Sequence, residues 1–331
     1  MKKIGIIGIG GRTGTMFYSE LKKSSQVFGI GKEKDVELIK NRKVFIKKGE
    51  KEEIFKGDLI KSDEFPKGID FDFLFFAIKN PVGPAIKYYY QKMKELKMNP
   101  PSLLLSQNGI GAGEEALSVL KNIFGKEAER IQIIRISLFN PVDKKTLGDK
   151  IYITYSLPIK LAIAKFSGKG DLKEIFKILK GANFEIELIP EKDVKNMEYS
   201  KLFLNLIGMA SASRNLSLFE GFSKKEVFEE EILALKEYIK VIKKAKGKFL
   251  NFRGYPVKFF SLFFSLPILF LLPFRKILGL KIEKGREGKP KDLTEIDYYN
   301  GAVVKLGREL KIETPTNKKI LERAKLCLSK E

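Results

Sequence analysis

The chain opens on a short apolar run that leads straight into a cluster of glycines. Residues 3–9 carry isoleucine at four of seven positions, and Gly8-Ile9-Gly10-Gly11-Arg12-Thr13-Gly14 overlaps the end of this run. A buried parallel strand, a glycine turn and a helix in this order are how a Rossmann-type, doubly wound sheet begins. The feature therefore predicts an α/β fold that starts with a dinucleotide-binding domain.

The glycine turn also predicts a ligand. Glycines let the backbone turn tightly beside a pyrophosphate, and the free N–H groups of the following helix can bind it. The spacing is unusual, because Thr13 occupies the third-glycine position and Gly14 follows one residue late. A plain glycine turn is the alternative. The position between strand and helix favours cofactor binding by Gly8, Gly10, Gly11, Arg12, Thr13 and Gly14.

The remaining pattern divides the chain in two. Strand and helix patterns alternate as far as Pro190, and helical patterns follow to the end. Strands are expected at 3–9, 27–30, 71–78, 103–106, 131–137, 151–156 and 184–189, with a small hairpin or irregular crossover at 43–62. C-terminal helices are expected at 194–218, 224–246, 257–279, 291–310 and 316–329. The sequence thus predicts a Rossmann-type domain at 1–190 and a helical substrate and catalytic domain at 191–331.

Composition restricts the chemistry. The 331 residues include one cysteine, Cys327, and no histidine. This excludes a disulfide framework, histidine-dependent hydrolase triads and most zinc sites, and we expect no metal. A proton donor must therefore be lysine, tyrosine, a carboxylic acid or the cysteine.

The net charge of +22 has two interpretations. Functionally, it would attract anions such as a phosphorylated cofactor or a keto acid. The alternative is that it accompanies the Lys- and Glu-rich composition found in proteins from hot environments. The basic residues are interleaved with glutamate and form no compact arm, so we expect no nucleic-acid partner.

One apolar segment bears on the location of the protein. Residues 259–274 contain no charged side chain. A helix of this length spans about 24 Å, short of the roughly 30 Å hydrocarbon core, and Pro267 and Pro273 interrupt it. The N-terminus lacks a signal-peptide pattern. We expect a cytoplasmic protein that does not span a membrane, with the segment in a buried helical pair or a subunit interface. Attachment to a membrane surface and a homodimer both stay open.

Residues after three strands indicate the type of cofactor. Lys32 ends the second strand, where a basic side chain suits the 2′-phosphate of NADP, although the neighbouring Glu33 leaves NAD open. Lys79 follows the next central strand and is a candidate cofactor contact or a solvated loop lysine. Asn108, in Gln107-Asn108-Gly109, could contact cofactor and substrate, or could form an Asn-Gly turn chosen for its backbone.

A lysine and an asparagine four residues apart suit carbonyl reduction. Lys201 and Asn205 share a face of a predicted helix. The ammonium can polarise and protonate a carbonyl oxygen while the amide binds a hydroxyl or carboxylate. The apolar neighbours would lower the lysine pKa towards working pH. An amphipathic helix with two polar residues at its wet edge is the alternative.

The C-terminal run Thr294-Glu295-Ile296-Asp297-Tyr298-Tyr299-Asn300-Gly301, with Gly307-Arg308-Glu309 and Thr314-Pro315-Thr316-Asn317 beyond it, resembles the signature of the ketopantoate reductase (2-dehydropantoate 2-reductase) family. The resemblance implies a Rossmann domain and a C-terminal domain like that of 6-phosphogluconate dehydrogenase. It implies NADPH-dependent reduction of 2-dehydropantoate to (R)-pantoate in pantothenate, hence coenzyme A, biosynthesis.

The resemblance also implies residue roles. Lys201 matches the catalytic lysine and general acid, and Asn205 the substrate-binding asparagine one turn later. Glu295 matches a glutamate that contacts the substrate and helps set the lysine, although a capping box behind Asp292 or a solvated carboxylate would also explain it. Asn108 matches a residue between the cofactor ribose, the substrate and the lysine, and Lys79 one beside the cofactor.

Two departures leave the substrate open. A second asparagine of the family is replaced by Met209, and an upstream serine has no counterpart, so that Arg286 or Lys289 is a candidate substitute. The alternatives are a related hydroxyacid dehydrogenase with another keto acid, and a non-catalytic NADP-binding or membrane-associated protein.

Overall fold

A computed structural model describes residues 1–283 and 288–329. The chain forms two compact units. The first comprises Met1–Gln107 with Gly111–Val194, and the second comprises Asn108–Ile110 with the chain from Lys195 onward. The strands belong to the first unit, and the described residues from Lys195 onward are helical or irregular. The expected combination of a Rossmann-type sheet with a helical C-terminal region is confirmed.

The strands follow one another in chain order as β1 (Lys3–Ile7), β2 (Gln26–Gly31), β3 (Lys43–Lys48), β4 (Lys51–Ile54), β5 (Asp58–Lys61), β6 (Phe73–Phe76), β7 (Ser102–Leu105), β8 (Ile133–Leu138), β9 (Val142–Leu147), β10 (Lys150–Tyr155), β11 (Ile159–Ser167) and β12 (Phe184–Leu188). The main sheet has the spatial order β5-β2-β1-β6-β7-β8-β11-β12. The six strands from β5 to β8 in this spatial order are parallel, and they follow the order of a dinucleotide-binding sheet. Next to them, β11 runs antiparallel to β8.

Helices cover both faces of the main sheet. They are α1 (Arg12–Leu21), α2 (Glu33–Asn41), α3 (Gly83–Glu95), α4 (Ala112–Phe124) and α5 (Lys173–Lys180). One core joins α1 to one face and a second core joins α3 and α4 to the other. The sequence analysis did not predict α2, a short helix in which Val36 is the one buried residue.

A second sheet, in the order β4-β3-β10-β9, packs into the core on the α1 side. The segment 43–62, expected as a hairpin or irregular crossover, forms the β3–β4 hairpin and continues into β5 of the main sheet. The sequence analysis missed β9, since five of its six residues are exposed and lack alternation.

The second unit contains the remaining helices. They are α6 (Val194–Leu206), α7 (Met209–Ala212), α8 (Leu218–Ser223), α9 (Lys225–Lys244), α10 (Val257–Phe263), α11 (Ile268–Leu271), α12 (Arg275–Glu283), α13 (Asn300–Glu309) and α14 (Pro315–Leu328).

Three expected helices are shorter than predicted. The helix at 194–218 breaks at Gly208, whose φ of +93° lies in the left-handed region. The helix at 257–279 breaks at Pro267, which begins α11 as its N-cap. The helix expected from residue 291 begins only at Asn300, because Asp292 accepts hydrogen bonds from the backbone and hydroxyl of Thr294 in a local turn.

No single helix among the described residues is long and apolar enough to cross a bilayer. Val257–Phe263 and Ile268–Glu283 meet the length and composition test only when taken together, and they are bent by 119° at the break between them.

A buried carboxylate links α1 to the second sheet. Glu20 has a fully buried side chain. It accepts hydrogen bonds from Tyr155 Oη at 2.7 Å, Asn183 Nδ2 at 2.7 Å and Lys48 Nζ at 2.8 Å, and also from Lys23. Burial alone would raise the pKa of Glu20, but these donors outweigh it and hold the pKa at about 2.

We expect Glu20 to control the acid stability of the first unit. Its pKa lies below the ordinary value of 4.5, so its contribution is present above pH 4.5 and is lost as pH falls towards about 2. The shift corresponds to about 3 kcal/mol. Glu20→Gln should lower the free energy of unfolding by about that amount at pH 7 and flatten its acid limb, measured by urea denaturation across pH. Glu64→Gln, at an exposed pair with Lys67, should change it by less than about 1 kcal/mol, and equal effects would contradict this role.

Candidate functional site

The glycine turn lies between β1 and α1 as predicted. Gly8 has a φ of +96°, and its carbonyl oxygen accepts a hydrogen bond from Gly11 N at 3.0 Å. A Cβ atom at Gly14 would lie 2.3 Å from that same oxygen, so only glycine lets α1 start against the turn. The first turn of α1 contains Arg12 and Thr13 and no acidic residue. Free N–H groups and the positive end of the helix can therefore bind an anion there.

A lysine from the second sheet reaches the same turn. Lys144, on β9, donates a hydrogen bond from Nζ to the carbonyl oxygen of Gly10 at 2.7 Å. Gly10 also lies close to α2, because a Cβ atom added at Gly10 would be 2.7 Å from Cβ of Asp35. The sequence analysis did not single out Lys144, because it stands among other charged residues of an exposed strand.

Lys32 lies where the sequence placed it, directly after β2, and is the exposed N-cap residue of α2. The adjacent Glu33 is engaged elsewhere, since its carboxylate accepts a hydrogen bond from Lys61 Nζ at 2.7 Å. Glu33, the residue that left NAD open as the cofactor, thus forms an ion pair with Lys61 at the end of β5. Lys79 follows β6 and is exposed.

Buried polar side chains hold the ends of β6 and β7. Gln107 donates hydrogen bonds from Nε2 to the carbonyl oxygens of Phe76 at 2.8 Å and Ile78 at 3.0 Å. Arg135, only 2% exposed, donates to the carbonyl oxygens of Leu105 at 3.1 Å and Gln107 at 2.9 Å. Neither residue was a predicted site residue. An arginine inside the apolar run of β8 was a usable signal, because a buried charge requires such partners.

The second unit brings three predicted residues together. Asn205 Nδ2 donates to Asn108 Oδ1 at 3.2 Å, and Asn108 Nδ2 donates to Glu295 Oε2 at 3.4 Å. Tyr299 Oη also donates to Glu295 Oε2, at 3.3 Å. These groups form one hydrogen-bonded chain although their positions span almost two hundred residues. Tyr299 belongs to the C-terminal motif but was assigned no role from the sequence.

The structure bears on the two alternative interpretations given above, an Asn-Gly turn for Asn108 and a capping box for Glu295. Gly109 has a φ of +89°, and a Cβ atom there would lie 2.5 Å from the carbonyl oxygen of Tyr298. The backbone therefore requires glycine at 109, while the Asn108 side chain joins the hydrogen-bonded chain. Asp292 caps Thr294, as described above, and Glu295 precedes the 3-10 turn Ile296–Tyr298, so the pair does not form the capping box considered for them.

Lys201 lies on α6, one turn before Asn205, and is half-buried. The adjacent Leu202 and Phe203 are fully buried. The helix therefore packs its apolar residues inward and presents Lys201 and Asn205 on one partly accessible face.

Two further charged residues fix the end of α6. Lys291 Nζ donates to the carbonyl oxygen of Asn205 at 2.8 Å, which satisfies a terminal carbonyl of the helix. Glu231 is buried and accepts hydrogen bonds from Gly208 N at 2.8 Å and Ala210 N at 3.0 Å. Burial raises the pKa of Glu231 to about 7, even though these N–H groups and the charge of Lys291 lower it.

The two departures from the family motif have separate outcomes. Met209 is fully buried and begins α7, because α6 ends at Leu206. The position four residues after Asn205 is therefore on a different helix. Lys289 is exposed, and Arg286 lies outside the described residues.

Known proteins resemble the chain at two levels. Residues 288–327 match the family model described as Ketopantoate reductase PanE/ApbA C terminal. The resemblance to the ketopantoate reductase family is confirmed. No curated protein sequence matches the chain.

Solved structures of ketopantoate reductases and a related dehydrogenase share the fold. A PanE/ApbA family ketopantoate reductase from Ralstonia eutropha JMP134 matches with a TM-score of 0.74 at 16% identity, over 99% of both chains. D-Mandelate dehydrogenase in complex with NADH and anilino(oxo)acetate matches with a TM-score of 0.70 at 16% identity, over 98% of this chain and 97% of that one. A dimeric ketopantoate reductase from Staphylococcus aureus matches with a TM-score of 0.61 at 17% identity, over 98% of both chains. At these identities the likeness establishes the fold alone.

We expect Gly109 to be required for the Asn108 turn. Gly109→Ala should lower the free energy of unfolding by about 3 kcal/mol, since both the positive φ and the approach to Tyr298 penalise a side chain. Gly49→Ala is the matched control, with a φ of +63° and no atom within 4 Å of the added Cβ, and should cost about 1 kcal/mol. Urea denaturation of both variants tests this, and equal losses would exclude a special constraint at Gly109.

Proposed function

We propose that the protein is an NADPH-dependent reductase that converts a 2-keto acid into a 2-hydroxy acid, with Lys201 as general acid. The leading substrate is 2-dehydropantoate, reduced to (R)-pantoate in pantothenate biosynthesis. The observation that carries the proposal is the hydrogen-bonded chain of Asn205, Asn108 and Glu295, which includes the residue one helical turn after Lys201.

The chemistry assigned to these residues is simple. Lys201 Nζ gives a proton to the carbonyl oxygen as a C–H bond forms at the carbonyl carbon, and the neutral amine then regains a proton from water. Before transfer, the ammonium stabilises negative charge developing on that oxygen. The amide of Asn205 binds a hydroxyl or carboxylate of the substrate. Glu295 holds Asn108, which in turn orients Asn205.

The first unit supplies a cofactor site consistent with this reaction. A bound nicotinamide cofactor would supply the hydride. The turn at Gly8, Gly10, Gly11, Arg12, Thr13 and Gly14 would hold its pyrophosphate, and the ammonium of Lys144 beside Gly10 would add positive charge. Lys79 would lie alongside the cofactor.

NADP is the proposed form of the cofactor because of the residues after β2. Lys32 is exposed at the strand end, and the carboxylate of Glu33 is paired with Lys61. A 2′-phosphate would find a cation there.

A second candidate is reduction of another keto acid. Met209 is buried in the core, so the amide that the family places at this position is missing. D-Mandelate dehydrogenase, a structural relative, is described with the aryl compound anilino(oxo)acetate. Turnover of an aryl keto acid such as phenylglyoxylate, without turnover of 2-dehydropantoate, would favour this candidate. We also propose a cytoplasmic protein that forms a homodimer, as the Staphylococcus aureus relative does.

Lys201→Ala should lower kcat/KM about 10²–10⁴-fold, because it removes the proton donor. NADPH affinity should be retained. Lys195→Ala, an exposed lysine on the same helix, is the matched control and should leave kcat/KM unchanged. Both are measured by NADPH oxidation with the best substrate of a keto-acid panel. Undiminished turnover by Lys201→Ala would refute the assigned role, and NADPH binding without turnover of any keto acid would favour the non-catalytic alternative.

Lys32→Ala should weaken NADPH binding about 10–100-fold and leave NADH binding unchanged, since a charge-assisted contact to the 2′-phosphate is lost. Lys34→Ala, an exposed lysine in the first turn of α2, controls for the loss of one positive charge. Calorimetric titration with both cofactors gives the affinities. Parallel weakening of NADPH and NADH would show that Lys32 does not select the phosphate.

A further inference from the structure

The helices α10, α11 and α12 expose an unusual number of large apolar side chains. We call residues 257–283 the apolar hairpin. Eight of its large apolar residues are between 45% and 79% exposed, namely Phe259, Leu262, Leu266, Leu269, Phe270, Phe274, Ile277 and Leu280. The outward face of a surface helix normally carries polar residues. Contiguous apolar patches of this kind mark interaction surfaces.

The opposite face of the apolar hairpin is packed against its own unit. Val257, Phe264 and Leu271 are fully buried. A Cβ atom at Gly279 would lie 3.1 Å from Cβ of Phe222, which shows how closely α12 approaches α8. Glu283 adds a hydrogen bond from Phe219 N at 2.7 Å. The hairpin is therefore an integral part of the second unit, and its outer residues contribute little to this packing.

The charged residues in and before the apolar hairpin are almost all basic. From Tyr238 to Ile282 the chain has no aspartate or glutamate. The same stretch contains ten cations, namely Lys240, Lys243, Lys244, Lys246, Lys248, Arg253, Lys258, Arg275, Lys276 and Lys281. Five of them, from Arg253 to Lys281, flank or lie within the hairpin. The charged residues next to the exposed apolar side chains in the sequence are thus basic, apart from Glu283 at the end of α12, whose carboxylate accepts the hydrogen bond from Phe219 N.

We propose that the apolar hairpin attaches the protein to the surface of an anionic phospholipid bilayer. Exposed Phe and Leu side chains would enter the boundary between headgroups and acyl chains, while Lys and Arg contact the lipid phosphates. The bend of 119° and the packed inner face place the helices along the protein surface, with one side only available to lipid. This is the geometry of an interfacial anchor.

A second copy of the chain fits this surface less well. A two-fold symmetric contact brings the same patch of both copies together. The basic residues of the hairpin would then face one another, and the one carboxylate of the hairpin, Glu283, is already engaged by Phe219 N. An anionic bilayer supplies the complementary charge.

Vesicle flotation tests the proposal with the full-length protein. We expect it to float with vesicles of phosphatidylcholine and phosphatidylglycerol at 0.1 M NaCl, far less with pure phosphatidylcholine, and less again at 1 M NaCl, where the Debye length falls to about 3 Å. Leu269→Glu, at a side chain 79% exposed, should reduce the partition coefficient about tenfold or more. Lys276→Ala with Lys281→Ala, two exposed lysines of α12, should reduce it about 25-fold, a factor of about five for each cation. Leu326→Glu, at a leucine 63% exposed on α14, should leave it unchanged.

The absence of tryptophan from the sequence allows a direct measure of insertion. Phe270→Trp should give emission that shifts to the blue on addition of anionic vesicles, whereas Leu326→Trp should not shift. Three outcomes would overturn the proposal. They are no flotation with any vesicle, equal binding to neutral and anionic vesicles, and binding that survives Leu269→Glu. A concentration-dependent dimer in light scattering that Leu269→Glu abolishes, without vesicle binding, would assign the surface to self-association.

Discussion

The turn after β7 places an asparagine and a glycine within the helical unit. Asn108, Gly109 and Ile110 belong to that unit by their contacts, although the strand before them is part of the main sheet. The close approach of Gly109 to the carbonyl oxygen of Tyr298 leaves no room for a side chain. Asn108 is thereby fixed between Asn205 on α6 and Glu295, which lies just before α13.

Buried ionisable side chains join distant elements elsewhere in the molecule. Glu20 connects α1 with β3 and β10, and Arg135 connects β8 with the end of β7. Glu231 accepts hydrogen bonds from the backbone N–H groups of Gly208 and Ala210, which follow α6. A buried charge is costly unless hydrogen bonds surround it, so each fixes elements that are distant in the chain. The partly buried Lys291 also fixes α6, because its ammonium donates to the carbonyl oxygens of Leu204 and Asn205 near the end of the helix. The face that carries Lys201 and Asn205 thus has a defined end.

The sequence predicted the parts of the molecule that depend on local pattern. The strand, glycine turn and helix at the N-terminus, the helical C-terminal region and the family motif around Glu295 all follow from neighbouring residues. The second sheet did not, because it pairs β3 with β10, more than a hundred residues later, and no periodicity reports such a pairing. The sequence analysis assigned no role to Lys144, Gln107 or Lys291 for the same reason, since only the fold brings their hydrogen-bond partners close to them. Pro267 was recognised from the sequence as an interruption of the apolar segment. The break at Gly208 was not, because its neighbours continue the helical pattern.

The parallel pairing of β3 with β10 also determines when each strand can find its partner. During synthesis at about 5–20 residues per second, β3 would emerge roughly 5–20 s before β10 exists. In that interval its only strand neighbour is β4, which presents Lys51, Glu52 and Glu53 to solvent. Charged side chains on an edge strand discourage pairing with other chains. β4 thus protects only one edge of the nascent hairpin. The other edge is β3 itself, where Lys43, Lys47 and Lys48 have the same effect until β10 has been made.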